Sequence, residues 1–302
     1  MSHTRTVALT SLAMIAFAGN SLLCRIALKS TQIDAATFTT IRLISGAIIL
    51  WLVAGMRSNT HNGRGSWVSS FALFTYAAGF SFAYVSLPTA TGALLLFGAV
   101  QATMIGYGLL VGERLLRRQI VGLVLSLGGI VGLLLPGLSA PPLLGSVLML
   151  GAGIAWGIYS VRGKGAGDPT RVTAGNFLRT VPIAAALSVF TFNSNSLDAA
   201  GFWYAVSSGA LASGIGYAIW YAVVPTLKAT NASTVQLSVP AIAALGGIAF
   251  LGEPITWRLA LTSVAILGGI TLVVLEKKQS NGAQPCNQPD GKYVCAKLKS
   301  KI

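Results

Sequence analysis

Ten apolar runs of bilayer length follow one another through this chain, at 7–28, 35–56, 67–87, 89–111, 119–136, 143–161, 171–192, 200–223, 229–251 and 255–275. A helix needs about 20 apolar residues to cross the hydrocarbon core, and lipid admits only structures that satisfy their backbone groups internally. The runs predict ten transmembrane helices in an all-α integral membrane protein. Composition agrees, with 54% hydrophobic and 9% charged residues, against roughly 25% charged in a soluble domain. So few charges could not cover the surface of a water-soluble chain of this length. The first run is long enough to span and lacks a small-residue cleavage site, so it reads as the first span.

The gaps carry turn chemistry, such as Ser58-Asn59, Pro141-Pro142, Gly167-Asp168-Pro169 and Asn193-Ser194-Asn195. They also carry most of the Lys and Arg behind the net charge of +14. With the N-terminus in the cytoplasm, the inner segments hold Arg5, Arg57, Arg64, Arg114, Arg117, Arg118, Arg162, Lys164, Arg171, Lys228, Lys277 and Lys278. The outer segments hold Lys29 and Arg258, with Arg25 close to that face. That imbalance places both termini in the cytoplasm. No basic face is interleaved with aromatics on a soluble fold, so nucleic acid is not an expected partner and the lipid bilayer is. The segment 279–302 is rich in Asn, Gln, Pro, Gly and Lys and reads as disordered or added sequence. Its Cys286 and Cys295 are too few for a zinc site.

The two halves repeat each other. Gly112-Glu113 and Leu127-Gly128-Gly129-Ile130 recur 140 residues later as Gly252-Glu253 and Leu267-Gly268-Gly269-Ile270. Gly79, Tyr84, Pro88 and Thr89 recur 137 residues later as Gly216, Tyr221, Pro225 and Thr226, and Arg42 falls on Arg179 at the same offset. Ile15-Ala16-Phe17 resembles Ile154-Ala155-Trp156. Five matches in order predict a duplicated unit, 5–136 and 143–276. Five spans is an odd number, so the copies would enter the membrane in opposite orientations, an arrangement that gives carriers two packings around one midplane site.

These residues resemble the drug/metabolite transporter superfamily, in particular its duplicated EamA-type ten-span branch, over residues 5–276. The resemblance rests on the Gly-Glu pairs closing the fourth and ninth spans, the Gly-Gly pairs of the fifth and tenth, Arg42, and the Ala-Phe/Trp-rich first and sixth spans. Within the branch the chain looks most like bacterial aromatic amino-acid exporters. The resemblance implies export of small metabolites across a bacterial inner membrane by alternating access. It also implies a central cavity between the third, fourth, eighth and ninth helices.

Several residues fit such a cavity. Tyr76, Phe80 and Tyr84 share one face of the third span, Tyr217 and Tyr221 repeat this in the eighth, and Trp156 and Tyr159 share a face of the sixth. Phe97, Gln101 and Gln236 fall in the fourth and ninth spans. An aromatic and amide lining suits a zwitterionic or apolar amino acid, while core packing and interhelical hydrogen bonding explain the same residues without a ligand. Arg42 and Arg179 lie about two turns inside their spans, where an Arg costs roughly 2.5–3.5 kcal/mol on insertion scales. They read either as clamps for a substrate carboxylate or as structural side chains at the repeat interface. Asn20 and Asn176 must find partners at depth, and Pro182 and Pro240 should kink their helices, as hinges or as static bends. The pairs Gly128/Gly132 and Gly153/Gly157, with Gly268-Gly269, permit close helix approach.

The acidic residues are Asp34, Glu113, Asp168, Asp198, Glu253, Glu276 and Asp290, all at span ends, in loops or in the tail, and both histidines, His3 and His61, lie outside the spans. A proton-coupled pump keeps a titratable group in its pathway, so transport is expected to be facilitative. No Walker motif, HExxH or metal-ligand cluster occurs, and no cofactor, metal or enzymatic activity is expected. The competing expectations are a sugar-phosphate or drug-like-cation carrier, which for phosphates would want several cations in the cavity, and a membrane scaffold or sensor without turnover. Oligomeric state is left open, with a monomer compatible with the sequence.

Overall fold

The computed structural model describes residues 2–56, 63–112, 114–137, 140–163, 167–192, 196–227 and 235–280. Ser58-Asn59, Asn193-Ser194-Asn195, Arg57, Lys164, Lys228, His61, Glu113 and the tail beyond 280 lie outside them. All regular structure among the described residues is helical, without a strand: α1 His3–Ser30, α2 Ala35–Met56, α3 Trp67–Tyr84, α4 Thr89–Leu110, α5 Arg117–Leu134, α6 Leu143–Gly163 and α7 Pro169–Phe190. There follow α8 Ala199–Val206, a π-helical segment Ser207–Ile215, α9 Gly216–Val223, a 3₁₀ turn Val224–Thr226, α10 Ser238–Leu251 and α11 Trp257–Ser280.

Seven of these helices, α1, α2, α4, α5, α6, α7 and α11, are long and apolar enough to cross a membrane. The chain is an integral membrane protein. The third expected span, α3, has the length but carries Ser69, Ser70, Thr75 and Ser81. The eighth is continuous in path but changes pitch: nine residues from Ser207 are π-helical. In the ninth, Val235 and Gln236 are helical, Leu237 is a turn and α10 starts at Ser238. Pro240 accounts for that break, because it cannot donate to the carbonyl of Gln236 and its ring presses on it. Pro182, by contrast, lies inside α7, which continues through it.

Helix starts follow the sequence. Asp168 caps α7 through the Arg171 amide at 2.9 Å, with Pro169 in the first turn. Asp34 caps α2 through the amides of Ala36 and Thr37, both at 2.9 Å, and its other oxygen accepts from Ser196 at 2.8 Å. Asp198, capping α8 through Gly201, returns the bond by accepting from Gln32 at 3.2 Å. The two loops are thus tied through each other's caps. Burial works to raise the Asp34 carboxyl, but hydrogen bonds from Thr37, Ser196 and Ala36 outweigh it and hold it below the usual carboxylate range.

The helices pack as α5 on α11, α3 on α6 and α7, α4 on α6 and α10, and α2 on α7 and the π segment. In turn, α1 packs on α8, the π segment, α9 and α10. Small residues set the approach. Gly153 meets Ala99 and Leu96 of α4 at 2.6 Å for a built Cβ, and Gly157 meets Thr103 at 2.7 Å. At the α5–α11 seam, Gly129 faces Ile266 and Gly269 faces Ser126, whereas Gly128 and Gly268 meet nothing within 4 Å. Outward faces are apolar, and Trp51, Trp67, Trp203 and Trp257 are exposed near helix ends, where amphipathic rings suit the lipid–water boundary.

Candidate functional site

Arg42 is the charge that most needs explaining. It lies two turns into α2 and is only 2% exposed. Its guanidinium sits over two rings of α3, 5.3 Å from the centroid of Tyr76 and 4.8 Å from that of Phe80, positions in which a ring face attracts a cation. Nη2 donates to the Tyr76 hydroxyl at 3.1 Å. Asn20 Nδ2 donates to the same oxygen at 3.4 Å, and Asn20 Oδ1 accepts from Ser208 of the π segment at 2.6 Å. Donor accounting then leaves two donor groups over. Arg42 Nη1 is buried without a partner, and Tyr76 accepts twice, so its own hydroxyl hydrogen has no acceptor among the described residues.

Around these donors the rings form one connected set. Tyr76 meets Phe80 at 5.5 Å and Trp156 at 4.7 Å, and Phe80 meets Tyr84 at 4.7 Å. Trp156 stacks on Tyr159 at 5.2 Å and on Tyr217 at 5.6 Å, and Tyr217 stacks on Tyr221 at 6.1 Å. Phe17 and Phe177 reach Tyr217 from α1 and α7. The far end is fixed by hydroxyls: Thr173 donates to Tyr221 at 3.1 Å, and Asn176 donates to Tyr159 at 3.3 Å while accepting from the Ser66 amide at 2.8 Å. Asn20 and Asn176 therefore both act as interhelical bonds.

The structure brings together Arg42, Tyr76, Phe80, Tyr84, Trp156, Tyr159 and Tyr217. Phe97 packs at the edge of this cluster, partly buried. Gln101 and Gln236 are half-buried and outside the ring network. Arg179 is elsewhere, bonding through Nη1 to the carbonyls of Arg64 and, at 2.9 Å, Gly175. Phe17, Phe177 and Ser208 were not singled out by sequence. Phe17 had a signal, since the repeat aligns it with Trp156. The rings touch one another, so the site is closed in this conformation. A cleft of about 330 Å³ opens elsewhere, between α4, α10 and α11, with an apolar lining that includes Leu94, Ala244 and Leu245.

A helical bundle with a polar, aromatic interior and a lipid-compatible exterior defines a polytopic membrane protein. The chain belongs to the EamA-like transporter family, whose model matches it twice, over residues 4–135 and 143–275. The family's members are transporters, not enzymes. An uncharacterized protein of Pseudomonas aeruginosa is 54% identical over 91% of this chain and 96% of its own length. An uncharacterized transporter of Archaeoglobus fulgidus is 26% identical over 92% of this chain and 100% of its own. The threonine/homoserine exporter RhtA of Salmonella typhimurium is 32% identical over 45% of this chain and 48% of its own. A crystal structure with 19% sequence identity shares the fold at a TM-score of 0.62, over 92% of this chain and 100% of that one.

Proposed function

We propose that the protein exports small metabolites bearing a carboxylate, most of all amino acids including aromatic and other neutral ones, by facilitative alternating access. The observation that carries this reading is the pair of unspent donors, Arg42 Nη1 and the Tyr76 hydroxyl, inside a shell of aromatic rings. A carboxylate would complete both donors with charge-assisted bonds. The faces of Trp156 and Tyr217 would take an ammonium group or an aromatic side chain. Similarity to a threonine/homoserine exporter along 48% of that protein's length supports the same class of cargo. A phosphate carrier would bring several cations to the site, and among the described residues this cluster holds Arg42 alone. Phe97, Gln101 and Gln236 belong to the proposed path on either side of the cluster, and Arg179 to its structural frame.

The same reading takes the chain as ten spans in two inverted five-helix units, 5–136 and 143–276, with a tail at 279–302. Both termini would be cytoplasmic, in a bacterial inner membrane. The two family matches support it, and so does the packing. Contacts between the halves come in exchanged pairs: α3 on α6 answers α1 on α9, α4 on α6 answers α1 on α10, and α2 on the π segment answers α3 on α7. The pairs α2–α7, α4–α10 and α5–α11 are their own counterparts.

Uptake of labelled neutral amino acids into proteoliposomes, with and without an imposed pH gradient, tests the function. Saturable uptake of several amino acids, unchanged by the gradient, is expected. No uptake of any amino acid would remove the substrate reading, and uphill flux driven by the gradient would remove the facilitative one.

A further inference from the structure

We propose that Arg25 and Glu253 are gate residues: together with the first turn of α4 they latch one mouth of the transport path and must separate whenever that mouth opens. This rests on the alternating-access reading but not on any particular substrate.

Four helix ends meet at the latch. α10 stops at Gly252, whose φ of 63° is left-handed and open to glycine, and the Glu253 amide turns back to the Gly247 carbonyl at 3.1 Å. That turn delivers the Glu253 carboxylate to the start of α4. The Thr89 amide donates to both of its oxygens, at 3.0 and 2.8 Å, and the Thr89 hydroxyl donates to Oε1 at 3.2 Å. The residue before Thr89 is Pro88, which gives α4 no side-chain cap of its own. A helix start attracts anions through its free amides and its dipole, and here α10 supplies the anion. Arg25 closes the circuit: Nη1 donates to the carbonyls of Tyr84 and Val85 at the end of α3, at 2.8 and 2.9 Å, and Nε lies 3.6 Å from Glu253 Oε1.

Three features suit this contact to repeated opening. The side chains of Arg25 and Glu253 are 12% and 8% exposed. A desolvated ion pair gains little net stability, because separating the charges returns them to water, so parting it adds little to the cost of opening. Behind α10 lies the apolar cleft, bordered by Glu253 and Leu245, which leaves the helix end room to move. Lastly, closure depends on Gly247. A Cβ there would stand 2.5 Å from Glu253 Oε2 and 3.1 Å from Thr89 Cβ, so a methyl group would wedge the latch.

The test reads opening directly. In the full-length chain, with Cys24, Cys286 and Cys295 replaced by Ser, the reporter is Ala93→Cys. Ala93 is one turn below Thr89, 0% exposed, in the packing between α1, α4 and α10. Membrane fragments open to both faces are treated with a membrane-impermeant maleimide, without substrate. Both Glu253→Gln, which removes the charge, and Gly247→Ala, which keeps both charges but wedges the contact, are expected to speed labelling by about tenfold, the effect of losing one charge-assisted bond. Gly247→Ala reads the same quantity should Glu253→Gln fail to fold. Unchanged labelling in both variants overturns the gate. Because no amino acid is present, a failed uptake assay would remove the substrate and leave this result standing.

Discussion

Replacing Gly209 by alanine puts the packing around Arg42 under a measurable load. Gly209 lies in the π segment against α2, and a Cβ built on it falls 2.8 Å from the Arg42 carbonyl carbon, and closer to the Arg42 carbonyl oxygen and the Ser45 hydroxyl. Carbon contacts prefer about 3.5–4.0 Å, so roughly 1 Å must open. The obstacle is the backbone of a buried helix, which cannot step aside by changing rotamer. The same seam holds Gly46 against Phe177 and Gly214 against Ile49, each 2.8–2.9 Å from a built Cβ, so the displacement would spread along it. Overpacking of this kind costs about 1–3 kcal/mol, and alanine's better helix propensity returns up to about 1 kcal/mol. A net loss of about 1–2 kcal/mol corresponds to a fall in unfolding midpoint of roughly 2–8 °C. Gly151→Ala is the matched control: a Cβ there meets nothing within 4 Å, and the variant should hold or gain stability. Thermal unfolding of both in the same detergent, followed by loss of the monodisperse gel-filtration peak, gives the comparison. A Gly209→Ala midpoint equal to that of Gly151→Ala would refute the reasoning.

Arg42→Gln should raise the KM for amino-acid uptake by about 10–100-fold through loss of a charge-assisted bond, and leave any uptake of carboxyl-amidated analogues unchanged. Arg179→Gln should lower thermal stability and leave KM alone, because its bonds go to backbone carbonyls of Gly175 and Arg64; equal KM effects in the two variants would abolish the distinction. Asp34→Asn should cost about 1 kcal/mol: the amide oxygen can still cap α2, but the negative charge at the helix start is lost and an NH2 group cannot accept from the Ser196 amide as the second carboxylate oxygen does. The Asp34 carboxyl titrates below its unfolded value near 3.9, so the difference from wild type should be full above about pH 4 and vanish as pH falls through the depressed folded value. A difference that persists in strong acid would count against the role given to the ionised carboxylate.

How far the sequence reaches depends on whether a property is local. Helix positions were legible because apolar length and caps are local: Asp168-Pro169 starts α7 and Pro240 breaks the ninth span where expected. The π segment was not, since Ser207–Ile215 has the small apolar composition of an ordinary helix and nothing local in it marks the change of pitch. Ring stripes at four-residue spacing gave Tyr76, Phe80 and Tyr84 correctly as one face. Gln101 and Gln236, chosen for polarity at depth, fall outside the ring set, because polarity alone does not fix azimuth. Arg42 and Arg179 looked equivalent by repeat offset, and only their surroundings separate them. Gly252-Glu253 was visible as a repeat marker. Its chemistry, capping a helix 164 residues distant in sequence, depends on which helix ends meet in space.

The break at Leu237 gives the helix that follows it a mechanical character. From Ser238, α10 is 14 residues long, an arm of about 21 Å at 1.5 Å per residue. Carrying its tip about 4 Å, enough to part Glu253 from Thr89, needs a swing of only about 11° about that joint. If the latch is a gate, a lever of this ratio would turn a slight tilt at the joint into an opening wide enough for water.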